Sequence, residues 1–99
     1  MQITQKREAD CLTISLEGRV DSVSSGDFQA YLDENFTSDV QKLILDFSGV
    51  DFISSKGLRI LVSLYKNLNG RSMVILKPNA SVLEVLRLSG LLNFFRIEQ

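Results

Sequence analysis

The stretch Asp46-Phe47-Ser48-Gly49-Val50-Asp51-Phe52-Ile53-Ser54-Ser55-Lys56-Gly57-Leu58-Arg59 holds the transition on which the fold turns. Just ahead of it, Leu43-Ile44-Leu45-Asp46-Phe47 is a short, nearly continuous apolar run, the pattern of a central strand buried on both faces. Ser48-Gly49 is a turn signal. Val50 to Ile53 then reads as a short extended stretch that delivers Ser54 and Ser55 to the next element. From Lys56 to Asn69 the period becomes helical. Leu58, Leu61, Val62, Tyr65 and Leu68 share one stripe, widened by Ile60 and Leu64. Lys56, Arg59, Ser63, Lys66 and Asn67 fall on the opposite face, and Gly70 supplies a stop.

Upstream, Gln2–Ala9 and Cys11–Glu17 read as two strands joined by a tight hairpin at Asp10. The second alternates strictly, with Leu12, Ile14 and Leu16 apolar and Thr13, Ser15 and Glu17 polar, the mark of a half-buried strand. Gly18 ends it. Asp21 to Gly26 forms a loop into a helix that Ser24 is placed to cap. Val23, Phe28, Tyr31, Leu32 and Phe36 supply its apolar stripe. Downstream, Met73–Leu76 is a second buried strand, and Pro78 breaks the chain. Ser81-Val82-Leu83-Glu84 matches a capping box, with Gly90 closing the helix that follows. Phe94–Ile97 supplies a short edge strand or a helical turn.

The order β-β-α-β-α-β-α predicts an α/β fold: one domain over residues 1–99, with a mixed sheet covered by helices on at least one face. The N-terminal hairpin is antiparallel. The Leu43–Leu76 unit is expected to be a right-handed parallel crossover that pairs Leu43 with Met73. Strands are expected near Ile3–Ala9, Cys11–Glu17, Leu43–Phe47 and Met73–Leu76, and helices over Ser25–Phe36, Gly57–Asn69 and Val82–Ser89. Leu45 and Leu61 belong to the fully buried core.

Composition narrows the function. The chain has 99 residues, 44% hydrophobic and 23% charged, the profile of a globular domain. Its 11 basic and 12 acidic residues leave a net charge of −1 with no basic cluster, so nothing points to nucleic acid. Cys11 is the lone cysteine and histidine is absent, which excludes an internal disulfide, a Ser-His-Asp triad and the usual zinc sets. No apolar run approaches the roughly 20 residues of a membrane span, and the N-terminus lacks the apolar segment of a signal peptide. The expected location is the cytoplasm. No phosphate-binding loop or dinucleotide fingerprint is present, and no cofactor is expected. Asp46 and Asp51 invite comparison with a catalytic carboxylate pair. The simpler assignment puts Asp46 at a strand end and Asp51 in a turn.

The chemistry therefore gathers at Ser54-Ser55. A helix N-terminus carries backbone N–H groups without partners in the helix, and its dipole favours an anion. Either serine can cap the helix. A phosphoserine there would place nearly two negative charges where the helix favours them.

The same stretch resembles the signature of the STAS domain in the anti-sigma factor antagonist family, which reads approximately Asp-Leu-Ser-x-Val-x-Phe/Tyr-Ile/Met-Asp-Ser-Ser/Thr-Gly-Leu. Asp46, Phe47, Ser48, Val50, Phe52, Ile53, Ser55, Gly57 and Leu58 fall in register. Glu17-Gly18-Arg19-Val20-Asp21 is similar to the family's second strand and following loop. Val82–Leu86 with Leu88-Ser89-Gly90-Leu91 is similar to its last helix and turn. Two positions depart: Ser54 stands for the family's Asp, and Lys56 for its Ser or Thr.

The resemblance implies partner switching. The unphosphorylated domain binds an anti-sigma factor that is also a serine kinase, releasing the sigma factor. Phosphorylation of Ser55 breaks the complex, and a phosphoserine phosphatase resets it. The domain itself is then not an enzyme. The implied partner surface comprises Asp21, Ser54, Ser55, Lys56, Gly57, Arg59 and Ser63. The alternative that Ser54 and Lys56 keep open is a STAS domain that serves a transporter or signalling complex without phosphorylation. A nucleophile elbow at Ser55 lacks its flanking glycines and its base.

Overall fold

Leu12, Leu43 and Met73 stand opposite one another across three neighbouring strands, and Ile14, Leu45 and Ile75 form the next row along. The computed structural model describes residues 1–99. Its strands are β1 (Gln2–Glu8), β2 (Cys11–Val20), β3 (Lys42–Ile53), β4 (Ser72–Leu76) and β5 (Arg96–Glu98). They form one sheet in the order β1-β2-β3-β4-β5. The β1/β2 hairpin is antiparallel and every other pair is parallel, including the expected Leu43–Met73 pairing. Helices α1 (Ser24–Asn35), α2 (Ser55–Lys66) and α3 (Ala80–Leu88) fill the connections. No helix is long and apolar enough to cross a membrane.

Period-two alternation sends the apolar rows of β2, β3 and β4 to one side, where they share a continuous core with Phe28 and Leu32 of α1, Leu61 and Leu64 of α2, and Val82 and Leu86 of α3. Leu45 and Leu61 are fully buried, as their periodicity requires. On the other face Thr13, Ser15, Ile44 and Asp46 are only half buried.

The structure corrects several local assignments. Ser48-Gly49 is not a turn: β3 runs on to Ile53, and register shifts against β2 absorb the extra residues as bulges. Gly49 is required there because an added Cβ would lie 2.8 Å from Glu17 Cγ and 3.0 Å from the Leu16 carbonyl oxygen. Asp46 and Asp51 therefore both lie inside one strand, and Asp46 accepts a hydrogen bond from the Ser48 N–H (3.0 Å). Gly18 does not end β2 but continues it with φ of 101°. α2 stops at Lys66, before Gly70, which serves the turn into β4. The Ser81–Glu84 box does not form. Asn79 caps α3 by accepting the Val82 N–H (2.8 Å), and Glu84 pairs with Arg87 instead.

Candidate functional site

The parallel strands β2 and β3 end side by side, with Val20 opposite Ile53. The Ser54 N–H donates to the Val20 carbonyl (2.8 Å), the last tie before the chain turns into α2. Ser54 is the N-cap. Its hydroxyl accepts the Gly57 N–H (3.3 Å), and its carbonyl accepts the Leu58 N–H (2.9 Å). Serine and aspartate are both good N-caps, so Ser54 preserves the local chemistry of the family's acidic residue. The N–H groups of Ser55 and Lys56 remain at the open end of the helix, where no preceding turn supplies acceptors.

Ser55, the first helical residue, is exposed, as are Lys56 and Arg59. Neither cation forms an ion pair. Gly57 is buried: a Cβ there would lie 2.7 Å from Ile53 Cγ1 and 2.9 Å from Val20 Cγ1. Glycine thus lets α2 start directly against the strand ends, which fixes the direction in which Ser55 leaves the surface.

Asp21 occupies the adjoining loop, beside Val20. Its Oδ1 accepts the N–H groups of Val23 (3.0 Å) and Ser24 (2.9 Å) and lies 3.1 Å from the Ser24 hydroxyl. The Ser24 N–H, helped by the Val23 N–H, holds the Asp21 carboxyl below its ordinary value of 3.8. Asp21 therefore organises the start of α1, the task that sequence reasoning gave to Ser24. The residue at the N-cap is Val23, which makes no side-chain cap bond. Ser24 Oγ instead donates to the Arg19 carbonyl (2.6 Å).

Two concavities separate α1 from α2. One, of about 270 Å³, lies between Ser22, Ser25 and Gly26 on one side and Lys56 and Arg59 on the other. The second, of about 340 Å³, continues along the helices and contains Ser63 with Asp33, Asn67 and Arg71. Sequence reasoning missed Arg71. Its guanidinium lies 4.2 Å from the centre of the Phe36 ring and donates to the carbonyls of Thr37, Val40, Leu68 and Asn67, tying the loop after α1 to the end of α2. Its isolated position between Gly70 and Ser72 gave no periodic signal.

The family model for the STAS domain matches residues 2–99. The chain belongs to the STAS domain family. Among proteins similar to this STAS domain is BtrV of Bordetella bronchiseptica, named as a candidate anti-sigma factor antagonist. It is 28% identical over 99 residues, covering 98% of this chain and 85% of BtrV. An anti-sigma factor antagonist from Mycobacterium paratuberculosis superposes with a TM-score of 0.89 at 20% identity, over 98% of this chain and 84% of its own. The anti-sigma factor antagonist SpoIIAA in its unphosphorylated form gives 0.83 at 20% identity, over 99% and 89%. Phosphorylated SpoIIAA from Bacillus gives 0.75 at 19%, over 99% and 92%. These structural likenesses establish a shared fold, with the STAS sheet order and helix placement described above.

Proposed function

We propose that this STAS domain is a regulatory binding module of the anti-sigma factor antagonist kind, controlled by phosphorylation of Ser55. One observation carries the reading: Ser55 is exposed at the first position of α2, beside two unpaired cations, in a segment whose backbone is fixed by Ser54 and Gly57. A phosphate on Ser55 would meet free N–H groups and Lys56, so the fold tolerates it. A partner surface fitted to a hydroxyl would instead have to desolvate an unmatched dianion, which is costly. In this reading an anti-sigma factor with serine kinase activity is both partner and modifier, and a phosphoserine phosphatase reverses the step. The domain is substrate rather than enzyme, ATP belongs to the kinase, and the cycle runs in the cytoplasm. That one relative of the same fold, SpoIIAA, exists in a phosphorylated form supports the reading.

Lys56, exposed where the family carries Ser or Thr, favours a second reading: an interaction subunit of a transporter or signalling complex that is never phosphorylated. Incubating the full chain with ATP and the serine kinases of its host, followed by peptide mass spectrometry, separates the two. The proposal expects phosphate on Ser55 and none on Ser55→Ala. Absence of Ser55 phosphate with every kinase, while partner binding persists, supports the second reading.

A further inference from the structure

The last turns of α2 carry Val62, Tyr65 and Lys66 at spacings of three and four, on one face of the helix. That face turns away from α1 and toward the chain that follows α3. There Gly90, with φ of 78°, reverses the chain, and the N–H groups of Leu91 and Leu92 donate to the Leu86 carbonyl (2.9 and 3.2 Å). The reversal brings Leu91, Phe94 and Phe95 against α2. Phe95 is buried in the core, and the Tyr65 ring meets the rings of Phe94 and Phe95 edge to face, with centres 5.8 Å apart in each pair. The packing leaves a pocket of about 160 Å³ lined by Val62, Tyr65, Lys66, Leu91, Phe94 and Phe95. Tyr65 and Phe94 are 43% and 56% exposed, so the space opens to solvent. It lies on the flank of α2 opposite the clefts that Arg59 and Ser63 share with α1.

We propose that this pocket binds a small aromatic carboxylate, with its ring among Val62, Leu91, Phe94 and Phe95 and its carboxylate against Lys66. The size sets the ring. A cavity of roughly 150 Å³ with aliphatic and aromatic walls takes up benzene, and water inside it finds too few polar partners. The rim sets the charge. Lys66 is the only charged residue of the lining, is exposed and makes no ion pair, and no acidic residue lines the pocket. An anion at a helix C-terminus ordinarily meets the negative end of the dipole. Here Asn67 and Arg71 donate to the carbonyls of Ser63, Leu64, Asn67 and Leu68, which leaves the Lys66 ammonium to set the local sign. The apolar wall disfavours a polar ring, whose hydration would be lost without replacement. The site goes beyond the proposed function and does not depend on Ser55.

Benzoate is the probe, with benzamide as its uncharged match and acetate as its ring-free match. Each is titrated into the full chain while the methyl resonances of Val62 and Leu91 are followed by NMR. Benzoate at millimolar concentration is expected to shift both saturably, and acetate to shift neither. Benzamide is expected to bind about threefold more weakly, the worth of one exposed charge pair. Lys66→Gln should bring benzoate down to the level of benzamide and leave benzamide unchanged. Phe94→Ala, at an exposed position, should weaken benzoate about tenfold by removing one aromatic wall, with thermal unfolding recorded to show that the fold persists. Val62→Phe, which fills the space, is expected to abolish benzoate binding and replaces Phe94→Ala if that variant unfolds. Absence of a saturable benzoate shift overturns the proposal, as does equal affinity for benzoate and benzamide, or benzoate binding that both pocket variants leave intact. A dimer in sedimentation that Phe94→Ala dissociates would assign the pocket to a second copy and overturn it as well.

Discussion

Gly57 sits so close to Ile53 that an added Cβ would lie 2.7 Å from Ile53 Cγ1. Glycine inside a helix ordinarily costs about 1 kcal/mol relative to alanine, so an alanine there would normally stabilise. Here the order reverses. Ile53 and Val20 are buried and β-branched, with stiff side chains that have no space to yield. Gly57→Ala is therefore expected to destabilise by about 1–2 kcal/mol net, as overpacking outweighs propensity. Denaturant titration reads this directly, and an unchanged or higher midpoint contradicts it.

Arg71 acts as a clamp across the opposite end of α2. Its guanidinium covers Phe36 and satisfies carbonyls on both neighbouring loops. Arg71→Ala is expected to cost about 1–3 kcal/mol, because half-buried acceptors lose their donors. Arg71→Lys should recover little, since an ammonium cannot reproduce the planar fork. Full recovery by lysine in a thermal melt would reduce the clamp to a matter of charge.

The Asp21 loop predicts an acid response. The folded Asp21 carboxyl lies below 3.8, chiefly because the Ser24 N–H donates to it. A depressed folded value stabilises the protein above the unfolded value, and that contribution is lost as the pH falls through the folded value. Asp21→Asn keeps an acceptor but no titration. Wild type should therefore exceed Asp21→Asn in stability at neutral pH, with the gap closing as the pH falls below 3.8. A gap independent of pH, measured by denaturant midpoints across the acid range, would assign the loop's stability to hydrogen bonding alone.

Arg59 tests the sign of the docking face. If the proposed kinase is the partner, Arg59→Glu is expected to slow its association and to reduce the salt dependence of the rate, leaving dissociation less affected. Identical association rates at low salt would make Arg59 an ordinary solvated residue.

The β-α-β framework was legible because its periods are local: alternation in Leu12–Leu16, the apolar run Leu43–Phe47 and the helical stripe through Leu61. The Leu43–Met73 pairing followed from order alone. What escaped was set by contacts distant in sequence. Ser48-Gly49 carries turn chemistry, but Gly49 serves the close approach of β2 at Leu16 and Glu17. Asn79 and Ser81 are both good caps, and the helix begins at the earlier one. Val23 has the residue type of a core position, but its spacing to Phe28 and Leu32 puts it on the far side of a helix of about 3.6 residues per turn, and it is exposed. Arg71 belongs to no pattern. At the site, Ser54, Ser55, Lys56 and Gly57 were readable from the strand-to-helix transition. The cleft that adds Ser22, Ser25 and Gly26 depends on how α1 lies beside α2.

The central claim is that Ser55 switches binding without unfolding the domain. Partner affinity and thermal stability, measured together for wild type, Ser55→Ala and Ser55-phosphorylated protein, test it most directly. The account predicts tight binding by wild type and Ser55→Ala, weak binding by the phosphorylated form, and similar melting temperatures for all three. Equal affinity of phosphorylated and unmodified protein would contradict it, as would a loss of binding that accompanies unfolding.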